Sequence, residues 1–167
     1  MKMKKRVLAV ISNMIVLCFV FAVSLVDVQA GNSDLIQVDG SYLTTQDTST
    51  GKSPESVLRG KHLMDGECSI TKAGRNRIYV YAATTANHYV DFVSVLIYVD
   101  QYNEETGNWE QIDAWSVDDT DTYFIATSKS ITVERGYYYR VHADHFAGMN
   151  DEPLDETFSF TDGILVP

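Results

Sequence analysis

The chain has 167 residues, with 13 Lys plus Arg against 23 Asp plus Glu, and two cysteines. Residues 1–30 hold Lys2, Lys4, Lys5, Arg6 and Asp27, so the remaining 137 residues carry 9 basic and 22 acidic side chains, a net charge of −13. Such an excess of negative charge repels phosphate backbones and anionic lipid, which argues against nucleic-acid binding and polybasic membrane docking.

Met1 to Arg6 sets four positive charges ahead of Val7–Val26, an apolar run interrupted only by Ser12, Asn13 and Ser24. Val28-Gln29-Ala30 then places small residues at the −3 and −1 positions, the layout of a secretory signal peptide cleaved after Ala30. The alternative is an uncleaved membrane anchor, since about 20 apolar residues can span a bilayer. The polar sequence that follows favours cleavage, and Cys18 sits in mid-run behind the bulky Leu17, which disfavours a lipid anchor. The expected product is secreted, with no membrane association after cleavage. Cys68 is then its one cysteine, expected as a small buried apolar residue rather than a reactive thiol.

Between Gly31 and Lys61 seven of 31 residues are apolar, too few to offset the entropy of ordering the segment. Residues 31–62 are therefore expected to form a flexible polar arm, with a short helical turn at Pro54–Arg59. Residues 63–167 change character: short runs of Val, Ile, Thr, Tyr and Phe alternate with Gly, Asn and Asp clusters, which is strand punctuation. The expected strands are Glu67–Lys72, Ile78–Thr85, Asp91–Tyr102, Trp109–Val117, Tyr123–Val133, Tyr137–Asp144 and Phe158–Val166, the last bent at Asp162-Gly163. About seven strands with no helical period between them predict an all-β fold, a single antiparallel sandwich of immunoglobulin or fibronectin-III type. A jelly roll is the other architecture open to the same count.

Within Thr127–Ala143 (TSKSITVERGYYYRVHA) the order Val133, Gly136, Tyr139, Val141, Ala143 resembles the E-strand, corner and F-strand of fibronectin type III domains, with Arg135 where that family has Pro. The resemblance implies a structural corner at Gly136, Tyr139 and Val141, the Tyr139 hydroxyl returning to the backbone near the turn. More broadly, several features line up: the leader, Ser69-Ile70 followed by Gly74, Thr84-Thr85, and Gly107-x-Trp109 with Trp115 downstream. Gly136–Val141, His145 and Thr161–Ile164 complete the set. Together they resemble a family of small secreted proteins of Gram-positive Firmicutes catalogued only as a domain of unknown function. That likeness implies secretion and a β fold, and no chemistry.

Three groups of residues are candidates for a site. His142, Asp144 and His145 are the one cluster of two histidines and a carboxylate, the set for a metal-dependent hydrolase. Strand alternation sends His145 to the face opposite His142 and Asp144, which leaves fewer than the three or four ligands zinc needs. His62, His88, Asp151, Glu152, Asp155 and Glu156 could add ligands only through loops. Asp118, Asp119 and Asp121 offer hard oxygens without the glycine turn or bidentate Glu of a calcium loop. Trp109 and Trp115 have equal parity, so they should share a face about 20 Å apart. Trp115 is expected inside and Trp109 at the hairpin rim, where Tyr102 or Tyr123 could join it as a sugar-stacking surface. Trp109, Tyr138 and Arg140 form the possible binding face, as Tyr and Arg are enriched in interfaces. Arg140, His142 and Asp144 otherwise read as a solvated polar stripe. No nucleophile, metal-helix or phosphate-loop motif is present. The expected function is a non-enzymatic, cofactor-free module that binds a protein at the cell surface through a sheet face or edge. A carbohydrate-binding module and a metal-dependent hydrolase are the alternatives.

Overall fold

The computed structural model describes residues 36–54 and 60–167. The expected signal peptide lies outside the described residues, as do residues 55–59 of the expected helical turn. Among the described residues there are eleven strands: β1 (Gln37–Val38), β2 (Ser41–Thr44), β3 (Thr48–Lys52), β4 (Leu63–Lys72), β5 (Arg77–Val90) and β6 (Phe92–Asn103). They are followed by β7 (Asn108–Asp119), β8 (Thr122–Thr132), β9 (Tyr137–Gly148), β10 (Asp155–Phe160) and β11 (Gly163–Val166). No helix among the described residues is long and apolar enough to cross a membrane.

The strands form a two-sheet sandwich. One sheet runs β1-β2-β11-β9-β6-β7, with β10 also paired to β9; the other runs β3-β4-β5-β8. All pairings are antiparallel except β2 with β11. The order β4-β5-β8 facing β7-β6-β9-β10/β11 corresponds to ABE facing C′CFG, an immunoglobulin-class arrangement.

Period-two patterning builds the core. Cys68 and Ile70 of β4 with Ile78, Val80 and Ala82 of β5 pack against Val95, Ile97 and Val99 of β6, Tyr139, Val141 and Ala143 of β9, and Ile164 and Val166 of β11. The corner stands at the turn into β9. Tyr139 is fully buried and its hydroxyl donates to the Glu134 carbonyl at 2.9 Å. Gly136 takes a φ of +88° there, a conformation glycine adopts without steric cost, and donates its N–H to Val166 O at 2.6 Å. Arg135, in place of Pro, donates its Nε to Pro167 O at 2.7 Å and so ties the turn to the end of β11.

Two expectations are corrected. Residues 36–54 are not an arm: β1 and β2 extend the large sheet beside β11, and β3 pairs along β4 from Thr48↔Thr71 to Lys52↔Glu67. Composition records the apolar side chains available for burial but not the ladder hydrogen bonds, which a Thr- and Ser-rich edge strand makes as well as an apolar one. The expected strand Phe158–Val166 is two strands, β10 and β11, both on the same edge of β9. Between them Val141 donates its N–H to Thr161 Oγ1 and accepts from Thr161 N at its carbonyl, each at 2.9 Å, so the ladder continues through a side chain at the break.

Candidate functional site

The outer face of the large sheet concentrates charge and aromatic surface. β6 and β9 run in register with Asp100 opposite Arg140 and Tyr98 opposite His142, and β10 sets Phe160 beside His142. β7 contributes Trp109, through a bulge: Val99 pairs with Asp113 but Asp100 with Gln111, leaving Ile112 as the extra residue. Parity inverts across a bulge. Trp115, opposite the inward Ile97, packs against the core, while Trp109, opposite the outward Tyr102, lies on the other face. The two tryptophans therefore do not share a face, and the reason is one inserted residue.

Arg140 is the centre of this face and is 4% exposed, not solvated as the stripe reading had it. Its Nε donates to Asp100 Oδ2 at 2.9 Å, and its Nη1 to Asp39 O at 2.7 Å and Ser41 Oγ at 3.3 Å. Its guanidinium carbon stands 4.5 Å from the Trp109 ring and 5.6 Å from that of Phe160. The covering groups come from residues 39–41, which the sequence reading had left outside the fold, and from the bulge. Asp100 also receives His142 Nδ1 at 3.1 Å. Burial by itself would raise the Asp100 carboxyl, but hydrogen bonds from His142 and Arg140, with their charge, outweigh it and hold the group below the usual carboxylate range. His142 is stacked between Tyr98, at 4.6 Å, and Phe160, at 5.2 Å. Tyr138, the third residue of the expected binding face, is half-buried and pairs with Leu165 of β11.

The indole of Trp109 is half-buried. Arg140 lies over the ring, its Nε1 donates to Val38 O at 3.1 Å, and Gly163 lies close against its six-membered ring. Tyr102 lies at 5.2 Å from it, whereas Tyr123 belongs to the other sheet and contacts Tyr89 at 5.3 Å. The three aromatic rings do not form one stacking surface. Beside them a groove of about 430 Å³ is lined by Asp39, Gly40, Lys52, Pro54, Phe158 and Phe160.

The histidines of the metal reading diverge. His142 and Asp144 face outward, and His145 points into the sandwich, fully buried. His145 Nδ1 lies 2.9 Å from Thr84 Oγ1 and its Nε2 2.8 Å from Ser159 Oγ, while Thr84 donates on to Ser94 O at 2.9 Å. Burial pushes the imidazole down to about 4, so it is neutral near pH 7 and both ring nitrogens are satisfied. Gly66 lies directly beneath the ring. Cys68, in the same interior, is buried and its thiol pushed up to about 11 by desolvation, which keeps it protonated and unreactive.

A second histidine cluster forms where chain order gave no signal. His62 is 2% exposed; its Nε2 meets Glu152 Oε2 at 2.9 Å and its Nδ1 meets His88 Nε2 at 3.1 Å. Asp155 accepts the backbone N–H groups of His62 and Leu63, and Lys61 meets Glu152 at 2.6 Å. These bonds clamp the start of β4 to the loop ahead of β10. Among the described residues no group of three His, Cys, Asp or Glu side chains has metal-binding geometry. Asp118, Asp119 and Asp121 lie exposed at the β7–β8 turn, where Asp119 Oδ1 accepts Thr120 N at 2.8 Å and Asp121 takes a φ of +53°.

On one side of the sandwich both sheets end, in β7 and β8. Trp115 Nε1 donates to Thr127 Oγ1 at 3.4 Å, and Lys129 lies 4.9 Å over the Trp115 ring and 2.6 Å from Asp113 Oδ2. This seam closes the core, and among the described residues no strand pairs with the outer edge of β7 or of β8.

Fold and polar interior together define an immunoglobulin-class β-sandwich, extended by three N-terminal strands, that buries His62, His145 and the Asp100–Arg140 ion pair. The chain belongs to a family of unknown function, DUF6147, matched over residues 30–159. No curated protein and no solved structure is detectably similar to it.

Proposed function

We propose that this is a secreted or cell-surface, non-enzymatic β-sandwich that binds another protein through a sheet edge. The observation that carries the reading is the β7–β8 side, where two long strands terminate their sheets next to each other. β-Strand addition at such an edge gives affinity through main-chain hydrogen bonds and specificity through alternate side chains. The polar clusters that would otherwise suggest chemistry are internally satisfied, with Asp100, Arg140, His142 and His145 each held by named partners. The basic leader and the apolar run behind it support export, and the acidic composition supports solubility outside the cell.

The test is expression of the full chain in a Gram-positive host, followed by fractionation, N-terminal sequencing and cross-linking in the culture. A product in the medium or on the wall that begins at Gly31 and cross-links at β7 or β8 to a second protein is expected. A cytosolic product, or cross-links that never join it to another protein, would overturn the proposal.

A further inference from the structure

The two terminal strands are guarded unequally. β7 carries Glu110, Asp113, Asp118, Asp119 and the Ile112 bulge, devices that block edge-to-edge pairing. β8 is less guarded, its ladder with β5 shifting register only between Thr85 and Val90, at the Thr122 end. Its 11 residues hold a single charge, Lys129, and no proline, and it pairs with β5 in unbroken register from Arg77↔Thr132 to Thr85↔Phe124. Lys129 is already matched by Asp113 at 2.6 Å. Among the described residues no strand lies beyond β8.

The carboxylates of β7 determine what fits there. Asp113 pairs with Val99 and Asp119 with Val93, both inward positions of β6, and Glu110 pairs with Gln101, which faces Tyr139. Those three residues thus lie on the face of β7 turned toward the four-stranded sheet, Glu110 also accepting from Asn103 Nδ2 at 2.7 Å. Asp118, paired with Ser94, points the other way. A second copy of this chain would bring its own β7 carboxylates to the same seam, like charge against like.

Resting on the reading of the protein as a protein-binding module, we infer that β8 is the docking edge for an extended basic segment of the partner. The segment adds as a fifth strand to β3-β4-β5-β8, with Lys or Arg side chains directed at Glu110 and Asp119, on either side of the Asp113–Lys129 pair.

The experiment is titration of the ¹⁵N-labelled full-length protein with a ten-residue peptide of alternating Lys and Thr, and with its Glu-Thr counterpart. The Lys-Thr peptide is expected to slow amide exchange at alternate residues of Thr122–Thr132 and to lose affinity as salt rises. The double variant Glu110→Gln/Asp119→Asn is expected to weaken it roughly three- to tenfold, and Asp118→Asn to change it by less than about twofold. Equal binding of the Glu-Thr peptide, equal sensitivity to Asp118→Asn, or protection on another strand would overturn the inference. So would protection of β8 that grows with protein concentration and no peptide, which would make a second copy the occupant. If the Lys-Thr peptide fails while cross-links still join the protein to a partner elsewhere on its surface, this edge assignment falls and protein binding stands; if no cross-link to another protein forms, the broader reading falls with it.

Discussion

Asp100 and Arg140 face each other across the β6–β9 ladder at 2.9 Å, and each is 4% exposed although both lie on the outer side of their sheet. An ion pair on an outer face is buried here because residues 39–41 and Trp109 cover it. Arg140 in turn holds that cover in place, through Asp39 O and the Trp109 ring.

Breaking the pair on one side should be costly. Asp100→Asn and Arg140→Leu are each expected to lower stability by about 3–5 kcal/mol, because each strands a buried charge. Arg140→Lys should cost less than Arg140→Leu, but it cannot keep the donors to Asp100 and Asp39 together. Urea denaturation gives the energies. Limited proteolysis at residues 37–44 should show faster cleavage in Arg140→Leu than in the parent, and an unchanged rate would separate the ribbon from the ion pair.

The Tyr139 corner divides into a hydrogen bond and a ring. Tyr139→Phe keeps the ring and removes the bond to Glu134 O, an expected loss of about 1 kcal/mol. Tyr139→Ala removes both and should cost about 3–5 kcal/mol. Equal effects of the two substitutions in chemical denaturation would show that the buried phenyl contributes nothing.

Acid stability should carry the signature of His145. Its folded value of about 4 lies below the ordinary 6.5, so as pH falls the unfolded chain takes up the proton first. The contribution is intact above about pH 6.5, declines from there to about pH 4, and is then constant. The 2.5-unit difference corresponds to about 3 kcal/mol. Asp100 acts in a lower window: held beneath its ordinary 3.8, it contributes in full above that pH, and the contribution is lost progressively as pH falls from there to its own depressed value. Denaturation at half-unit steps should therefore show a slope between pH 6.5 and 4 that His145→Gln reduces, whatever that variant does to stability at pH 7.

Gly66 and His145 should be coupled. A Cβ at Gly66 would fall on the imidazole ring, so Gly66→Ala is expected to destabilise by about 1–3 kcal/mol through overpacking. In the Gly66→Ala/His145→Ala double variant the clash has gone, and the combined loss should be less than the sum of the two. Strict additivity in a double-mutant cycle would place the two residues out of contact.

The strands from β4 to β9 were legible because each buries one face, and alternation such as Val93-Val95-Ile97-Val99 records that face directly. The corner was legible because Gly136 and Tyr139 act over three residues of one turn. Strand β3 was not, since Thr48–Lys52 carries no apolar pattern and is held by ladder bonds to β4, 15 or more residues away in sequence. Trp109 stands at the hairpin rim as expected, but on the face opposite Trp115, because a bulge leaves no mark in composition and inverts every parity beyond it. His62, His88 and Glu152 meet across three connections that no spacing rule links.

By itself, then, the sequence determined the all-β class, the core faces and the opposed directions of His142 and His145, because side-chain alternation is local and strictly periodic. Only the tertiary structure decided that residues 36–54 join both sheets, that Arg140 is buried, and that β8 is left as an open edge beside the carboxylates of β7. Those outcomes depend on which strands become neighbours, and strand pairing is settled by long-range backbone hydrogen bonds to which almost any side chain is compatible.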